Sequence, residues 1–201
     1  MSTICVYGAA RDDIAPVFME ETEKLGRLIG THGHKLIYGA GATGLMGAVA
    51  RGMTEVNGHI IGVTPHFMHK FEPVYECTWT IETKTMAKRK NVMESNADAF
   101  IVVPGGIGTF DEFFQILTLK ELGQLKSKPI VLLNIDGYYS GLYNFMITAG
   151  EKGFLRDGVF EMFALCDTPE DALDVIERQL PKQAPKKPSR RKTKKSAEKA
   201  G

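Results

Sequence analysis

Val102-Val103-Pro104-Gly105-Gly106-Ile107-Gly108-Thr109-Phe110-Asp111-Glu112 joins two unlike patterns. On its N-terminal side the apolar run over residues 99–103 reads as a buried strand, and a helical apolar period begins at Phe110. Between them lies a glycine loop ending on Thr109, a residue type that caps helix starts well. Glycines bring backbone N–H groups close to a ligand, and a helix start adds unpaired donors and roughly half a positive charge. An anion, most naturally a phosphate, suits such a place. Glu112 stands one turn into the helix, near enough to act on whatever that phosphate holds. Thr109-x-x-Glu112 is equally a capping box, in which the glutamate only returns a hydrogen bond to the cap. The spacing alone leaves both roles open.

The same strand–loop–helix unit recurs outward from this stretch. Residues 3–7 form a short apolar strand followed by Gly8-Ala9-Ala10, and a helix runs over about 14–29 with Pro16 in its first turn, where proline is tolerated. Residues 35–38 form a second strand, followed by Gly39-Ala40-Gly41-Ala42-Thr43-Gly44 and a helix over 45–55. A third strand over 59–63 is ended by Pro65, and 66–77 read as irregular before a short strand at 78–81 and a helix over 84–95. Beyond the central loop the helix reaches Leu122, a strand follows at 129–134, and helices over 138–152 and 169–180 flank a short strand at 163–166. Alternating strands and helices imply right-handed crossovers and an α/β, Rossmann-like parallel sheet wrapped by helices on both faces. Ligands on such sheets sit beyond the carboxyl ends of the strands, where the loops at Gly8, at Gly41 and Gly44, and from Pro104 to Thr109 are expected to meet.

Bulk composition narrows the class. The 201 residues suit one domain with a tail, and 43% hydrophobic residues are ordinary for a globular chain. No stretch has the apolar length of a membrane span, and the opening residues read as the approach to a strand rather than a basic signal region, so the expected location is the cytoplasm. Cys5, Cys77 and Cys166 lie far apart, against both a disulfide framework and a zinc site. The five histidines show no metal-ligand spacing and read as surface or loop residues, and no Ser/His/Asp set is legible. From Pro181 on, nine Lys or Arg stand against Glu198, so a tail of charge +8 follows a body of charge −7. The expected division is an α/β domain over 1–180 and a basic, disordered tail over 181–201. The tail reads as a solvated segment, with weak nucleic-acid or membrane-surface attraction as the sharper alternative.

Gly39-x-Gly41-x-x-Gly44 matches the dinucleotide fingerprint, but it follows the second strand, and the third ends in Val63-Thr64-Pro65 without the acid that would hold a ribose hydroxyl. Two glycine loops opening two helices better suit one small phosphorylated ligand. On the helix over 84–95, Met86, Met93 and Ala97 form an apolar stripe that Arg89 and Lys90 flank. Either their stems cover the stripe with the heads in water, or the heads serve a site. The helix after Thr109 reads as apolar on two sides. Phe110, Phe113, Phe114 and Leu117 fill one, while Ile116 and Leu119 share the other with Glu112 and are expected to meet a second subunit.

Taken together, these residues resemble a known family. Pro104-Gly105-Gly106-x-Gly108-Thr109-x-x-Glu112 is similar to the signature of the Lonely Guy (LOG) proteins, cytokinin riboside 5′-monophosphate phosphoribohydrolases often labelled lysine decarboxylases. Tyr38-Gly39-x-Gly41-x-x-Gly44-Leu45-Met46-Gly47, Met86-x-x-Arg89-Lys90, Ala97-Asp98-Ala99-Phe100, Leu117-Thr118 with Leu122-Gly123, and Leu133-Asn134-x-x-Gly137-Tyr138-Tyr139 follow in family order. The resemblance covers roughly residues 3–178 and leaves out the tail.

The resemblance implies a Rossmann-like homodimer with no metal or redox cofactor. It puts the catalytic pair on Arg89 and Glu112, and phosphate and ribose contacts on Gly105, Gly106, Gly108, Thr109, Lys90 and Thr118. Gly8, Gly41, Gly44, Met86, Pro104 and Asp111 complete the expected substrate-binding residues. The implied reaction is hydrolysis of the N-glycosidic bond of a nucleoside 5′-monophosphate, giving free base and ribose 5-phosphate through an oxocarbenium-like transition state. A carrier similar to the molybdenum-cofactor carriers and an AMP-preferring enzyme are the alternatives. A decarboxylase would need a pyridoxal-phosphate lysine, and no lysine sits in such a pattern. The chain departs from plant members in three places. Gly8-Ala9-Ala10 stands for Cys-Gly-Ser-Ser, Ala87-Lys88 precedes Arg89 in place of His and an acid or amide, and Phe67 stands where a ligand-contacting glutamate is expected.

Overall fold

The computed structural model describes residues 1–125 and 127–181 and, at His69, the backbone alone. The tail expected over 181–201 therefore lies, from 182 on, outside the described residues. Seven strands, β1 (Thr3–Tyr7), β2 (Lys35–Tyr38), β3 (His59–Pro65), β4 (Trp79–Thr83), β5 (Ala99–Val102), β6 (Ile130–Leu133) and β7 (Ala164–Cys166), alternate with six helices. These are α1 (Pro16–Thr31), α2 (Gly44–Glu55), α3 (Met86–Asn96), α4 (Ile107–Glu121), α5 (Ser140–Glu151) and α6 (Pro169–Gln179). The strands form one sheet in the order β4-β3-β2-β1-β5-β6-β7, every pair parallel. The chain steps outward from β1 to β4, then returns through α3 to lay β5 on the other side of β1. The ends of β1 and β5 thus diverge at a topological switch point, the place where open α/β sheets bind ligands. No helix among the described residues is long and apolar enough to cross a membrane.

Continuous apolar strands are required because both faces are covered. Ile4, Val6, Leu36 and Tyr38 pack with Leu25, Ile29, Val49, Leu173 and Ile176 of α1, α2 and α6. Cys5, Tyr7, Ile37 and Phe100 pack on the opposite face with Met93, Phe113, Ile116 and Met146 of α3, α4 and α5. Each such large side chain, fully buried, contributes about 1.5–3 kcal/mol. The helices α1 and α2 touch backbone to backbone: a Cβ on Gly52 would lie 1.9 Å from the Glu23 carbonyl oxygen, and one on Gly26 2.2 Å from that of Val49.

The structure corrects four sequence expectations. First, α4 begins at Ile107 with Gly106 as its N-cap, so Thr109 lies inside the first turn and Thr109-x-x-Glu112 is no capping box. The glycines allow that earlier start. Second, Ile116 is fully buried in its own core, and Leu119 packs partly against the same core. The exposed apolar side chains nearby include Phe114 and Leu122 of this region and Phe145 and Phe154 around α5. Third, β3 runs on to Pro65, which pairs with Thr83 at the strand's end, where the missing N–H is harmless. Fourth, His34 is not a surface residue. It is 9% exposed; its Nδ1 accepts from the Ser2 amide at 3.2 Å, which leaves Nε2–H to donate to Glu177 at 2.9 Å.

Candidate active site

A cleft of about 320 Å³ opens at the switch point, walled by the loops after β1, β2, β3 and β5 and by the first turns of α3 and α4. The two glycine loops play unequal parts. At α2 the amide of Gly44 donates to the Asp12 carboxylate at 2.8 Å, and the amides of Leu45 and Met46 donate to the Ala9 carbonyl at 2.9 and 3.2 Å. Thr43 Oγ1 donates to the Ala10 carbonyl at 2.7 Å. The helix start of α2 is thus satisfied by the chain's own first loop, and the reading of two phosphate-ready loops is corrected to one. At α4 the first bonded amide is that of Phe110, which donates to Gly106. Among the described residues the N–H groups of Gly106, Ile107, Gly108 and Thr109 have no acceptor, the unsatisfied donors of a helix start. Gly106, Gly108 and Thr109 line the cleft, at the positive end of the α4 dipole.

Beside them the first turn of α3 meets the first turns of α4. Thr85 caps α3, accepting from the Lys88 amide at 3.1 Å, and this sets Arg89 and Lys90 toward α4. Arg89 Nη1 donates to Glu112 Oε1 at 3.2 Å and its Nε to the Val63 carbonyl at 3.2 Å. Lys90 Nζ pairs with Asp111 Oδ2 at 2.8 Å. Arg89 is therefore not a solvated cover of the apolar stripe; its head group is anchored from two elements. Glu112 is 9% exposed. Burial pushes its carboxyl up to about 7; Arg89 and Lys90 pull against this, and the neighbouring Asp111 carboxylate adds to it. A carboxyl that exchanges its proton near neutrality suits general acid–base work.

Of the residues expected at the site, Gly8, Gly41, Met86, Arg89, Lys90, Gly106, Gly108, Thr109, Asp111 and Glu112 line this one cleft. Three others stand behind it. The Pro104 carbonyl accepts the Ala9 amide at 3.0 Å, Gly105 accepts from Tyr138 Oη at 2.6 Å, and Gly44 (φ +57°) lies against the backbone of Arg11. Thr118 is not brought in. It lies further along α4, in a groove with Phe114, Phe145 and Phe154. Two charged lining residues were missed by the sequence reading, Arg11 and Glu72. Glu72 brings an acid to the cleft wall, its Oε2 3.8 Å from where a Cβ on Gly41 would stand, whereas Phe67 is 42% exposed and outside the lining. Neither has a local sequence signal, because each reaches the cleft from an irregular loop.

Gly39 is needed for the ion pair. A Cβ there would lie 1.8 Å from Arg89 Nη2. Gly39→Ala is expected to displace the guanidinium from Glu112 and lower turnover at least tenfold, at a stability cost of about 1 kcal/mol. Steady-state kinetics beside thermal melts check this; unchanged turnover would show that the guanidinium can serve from elsewhere.

Residues 46–176 match the family model described as "Possible lysine decarboxylase". A protein of Oryza sativa subsp. japonica named "Probable cytokinin riboside 5′-monophosphate phosphoribohydrolase LOGL2" is 32% identical over 179 residues, 89% of this chain and 73% of its own length. Cytokinin riboside 5′-monophosphate phosphoribohydrolase LOG3 of Arabidopsis thaliana is 31% identical, over 89% of this chain and 83% of its own length. Among solved structures, the molybdenum cofactor carrier protein of Chlamydomonas reinhardtii superposes with a TM-score of 0.69 at 22% identity, over 89% of this chain and 98% of that one. That likeness is one of fold.

Proposed function

We propose, for a chain that belongs to the Lonely Guy family of cytokinin riboside 5′-monophosphate phosphoribohydrolases, that the cleft hydrolyses the N-glycosidic bond of a nucleoside 5′-monophosphate. The observation that carries this reading is a buried carboxyl poised near pH 7, paired with arginine, in the same cleft as the free helix-start amides of Gly106, Gly108 and Thr109. The amides hold the 5′-phosphate and so fix the ribose. Ionised Glu112 takes a proton from the attacking water or faces the positive charge that grows on the sugar, and Arg89 keeps the carboxylate in place. Water oxygen bonds to C1′, the C1′–N bond breaks, its electron pair leaves with the base, and the base takes up a proton. The products are free base and ribose 5-phosphate. Lys90, held on Asp111, is not arranged as the free amine that a decarboxylase Schiff base would need.

Incubation with AMP and with isopentenyl-AMP, followed by assay of free base, tests the reading and ranks the bases. Binding of either nucleotide with no base released would favour the carrier alternative.

The same reading includes a homodimer. Phe145 and Phe154 are 67% and 80% exposed and line one groove with Phe114 and Thr118 between α4 and α5. Exposed apolar surface forgoes about 25 cal/mol per Å², and a two-fold, self-complementary contact would recover it. That contact would also bring Thr118 toward a second copy. Phe145→Asp is expected to lower the apparent mass by half in light scattering while leaving the monomer folded. A wild-type protein that runs as a fully active monomer would overturn the dimer.

A further inference from the structure

Three cations line the cleft among the described residues: Arg11, Arg89 and Lys90. Arg89 is committed to Glu112 at 3.2 Å and Lys90 to Asp111 at 2.8 Å. The side chain of Arg11 has neither a hydrogen bond nor an ion pair among the described residues. Its neighbour Asp12 is already occupied by the Gly44 amide. The loop that carries Arg11 is fixed: the Ala9 amide donates to Pro104, immediately before the α4 glycines, and the Ala10 carbonyl accepts from Thr43. Gly44 allows this seat, since a Cβ there would meet Arg11 N and O at 2.7 and 2.6 Å. A cation is thus held at the rim of an anion site whose other two cations are each paired with a carboxylate. The wall opposite α4 offers little else to an anion. Ala9 and Ala10 have no hydroxyl, and the α2 amides are consumed by Asp12 and Ala9.

We propose that Arg11 is a substrate-binding residue that pairs with the 5′-phosphate of the nucleotide, supplying from the first loop the charge that α2 cannot. This rests on the phosphoribohydrolase reading. A phosphate monoester dianion seated on the α4 amides would find helix-dipole partial charge on one side and a full, otherwise unengaged guanidinium on the other, a pairing suited to arginine's planar donors. Arg11 would therefore set the preference for a nucleotide over its nucleoside.

Arg11→Gln removes the charge and Arg11→Lys keeps it. With AMP, Arg11→Gln is expected to raise KM roughly tenfold or more with a much smaller change in kcat, and Arg11→Lys to recover part of that loss. Inhibition by ribose 5-phosphate should weaken by a similar factor, while inhibition by adenosine, which lacks the phosphate, should not change. A KM within twofold of wild type, or equal weakening of ribose 5-phosphate and adenosine, would overturn the assignment. Calorimetric binding of AMP separates the two levels. If wild type releases no base, the hydrolase reading fails, and the Arg11→Gln effect on AMP affinity still decides whether Arg11 holds the phosphate.

Discussion

Glu112→Gln should yield a protein that melts higher at pH 8 than wild type yet turns over at least about a hundredfold more slowly. Both effects have one cause. In the folded chain the carboxyl holds its proton up to about pH 7, against 4.5 for an unhindered glutamate. The folded state therefore binds more protons than the unfolded state between those values, and stability falls as pH rises through that window. Glutamine has the shape of the protonated form and no proton to lose. The variant and wild type should match near pH 4, diverge as pH rises, and differ by about 3 kcal/mol above pH 7. Chemical denaturation at pH 4.5 and 8, beside a base-release assay, measures both. A variant that keeps full activity would reduce Glu112 to a packing residue.

Arg89→Ala should be as damaging to turnover, by about a hundredfold, with the opposite relation to stability. Loss of the guanidinium leaves Glu112 buried with no partner, and the carboxyl responds by holding its proton to still higher pH. In wild type, kcat/KM should fall on the acid side near pH 7 if the ionised carboxylate does the work. In the variant that acid limb should move upward. Stability should change little at low pH, where Glu112 is neutral, and drop as pH rises. A pH profile unmoved by the substitution would separate Arg89 from Glu112 despite their 3.2 Å contact.

The parallel sheet was legible because its central strands are apolar on both faces and β1, β2 and β5 each run into glycine and then a helical period. The loop before α4 was legible for the same reason, since free backbone donors follow from glycine and helix geometry alone. Contacts made from a distance were not. The two glycine loops look alike in sequence, but Asp12, 32 residues before Gly44, closes one of them. Thr109 carries a capping side chain, yet Gly106 ends the extended backbone first and starts the helix early. Ile116 has the spacing of an outward face, but the width of the core between α3 and α4 takes it in. Arg11 and Glu72 belong to loops whose path depends on which strands neighbour them.

The bonds that tie the first loop to Pro104, Thr43 and the start of α2 have a consequence for how a ligand is met. Ordering a flexible loop of this kind costs roughly 1–2 kcal/mol per residue in backbone entropy. Here that cost falls on folding, because the chain's own hydrogen bonds fasten the loop to its neighbours. An arriving nucleotide then has only its own freedom and a few side-chain rotamers to restrict. The same rigidity serves the product equally well. Ribose 5-phosphate would keep the phosphate proposed to sit on the α4 amides, so its departure, rather than the breaking of the glycosidic bond, is expected to limit the rate at which the enzyme can cycle.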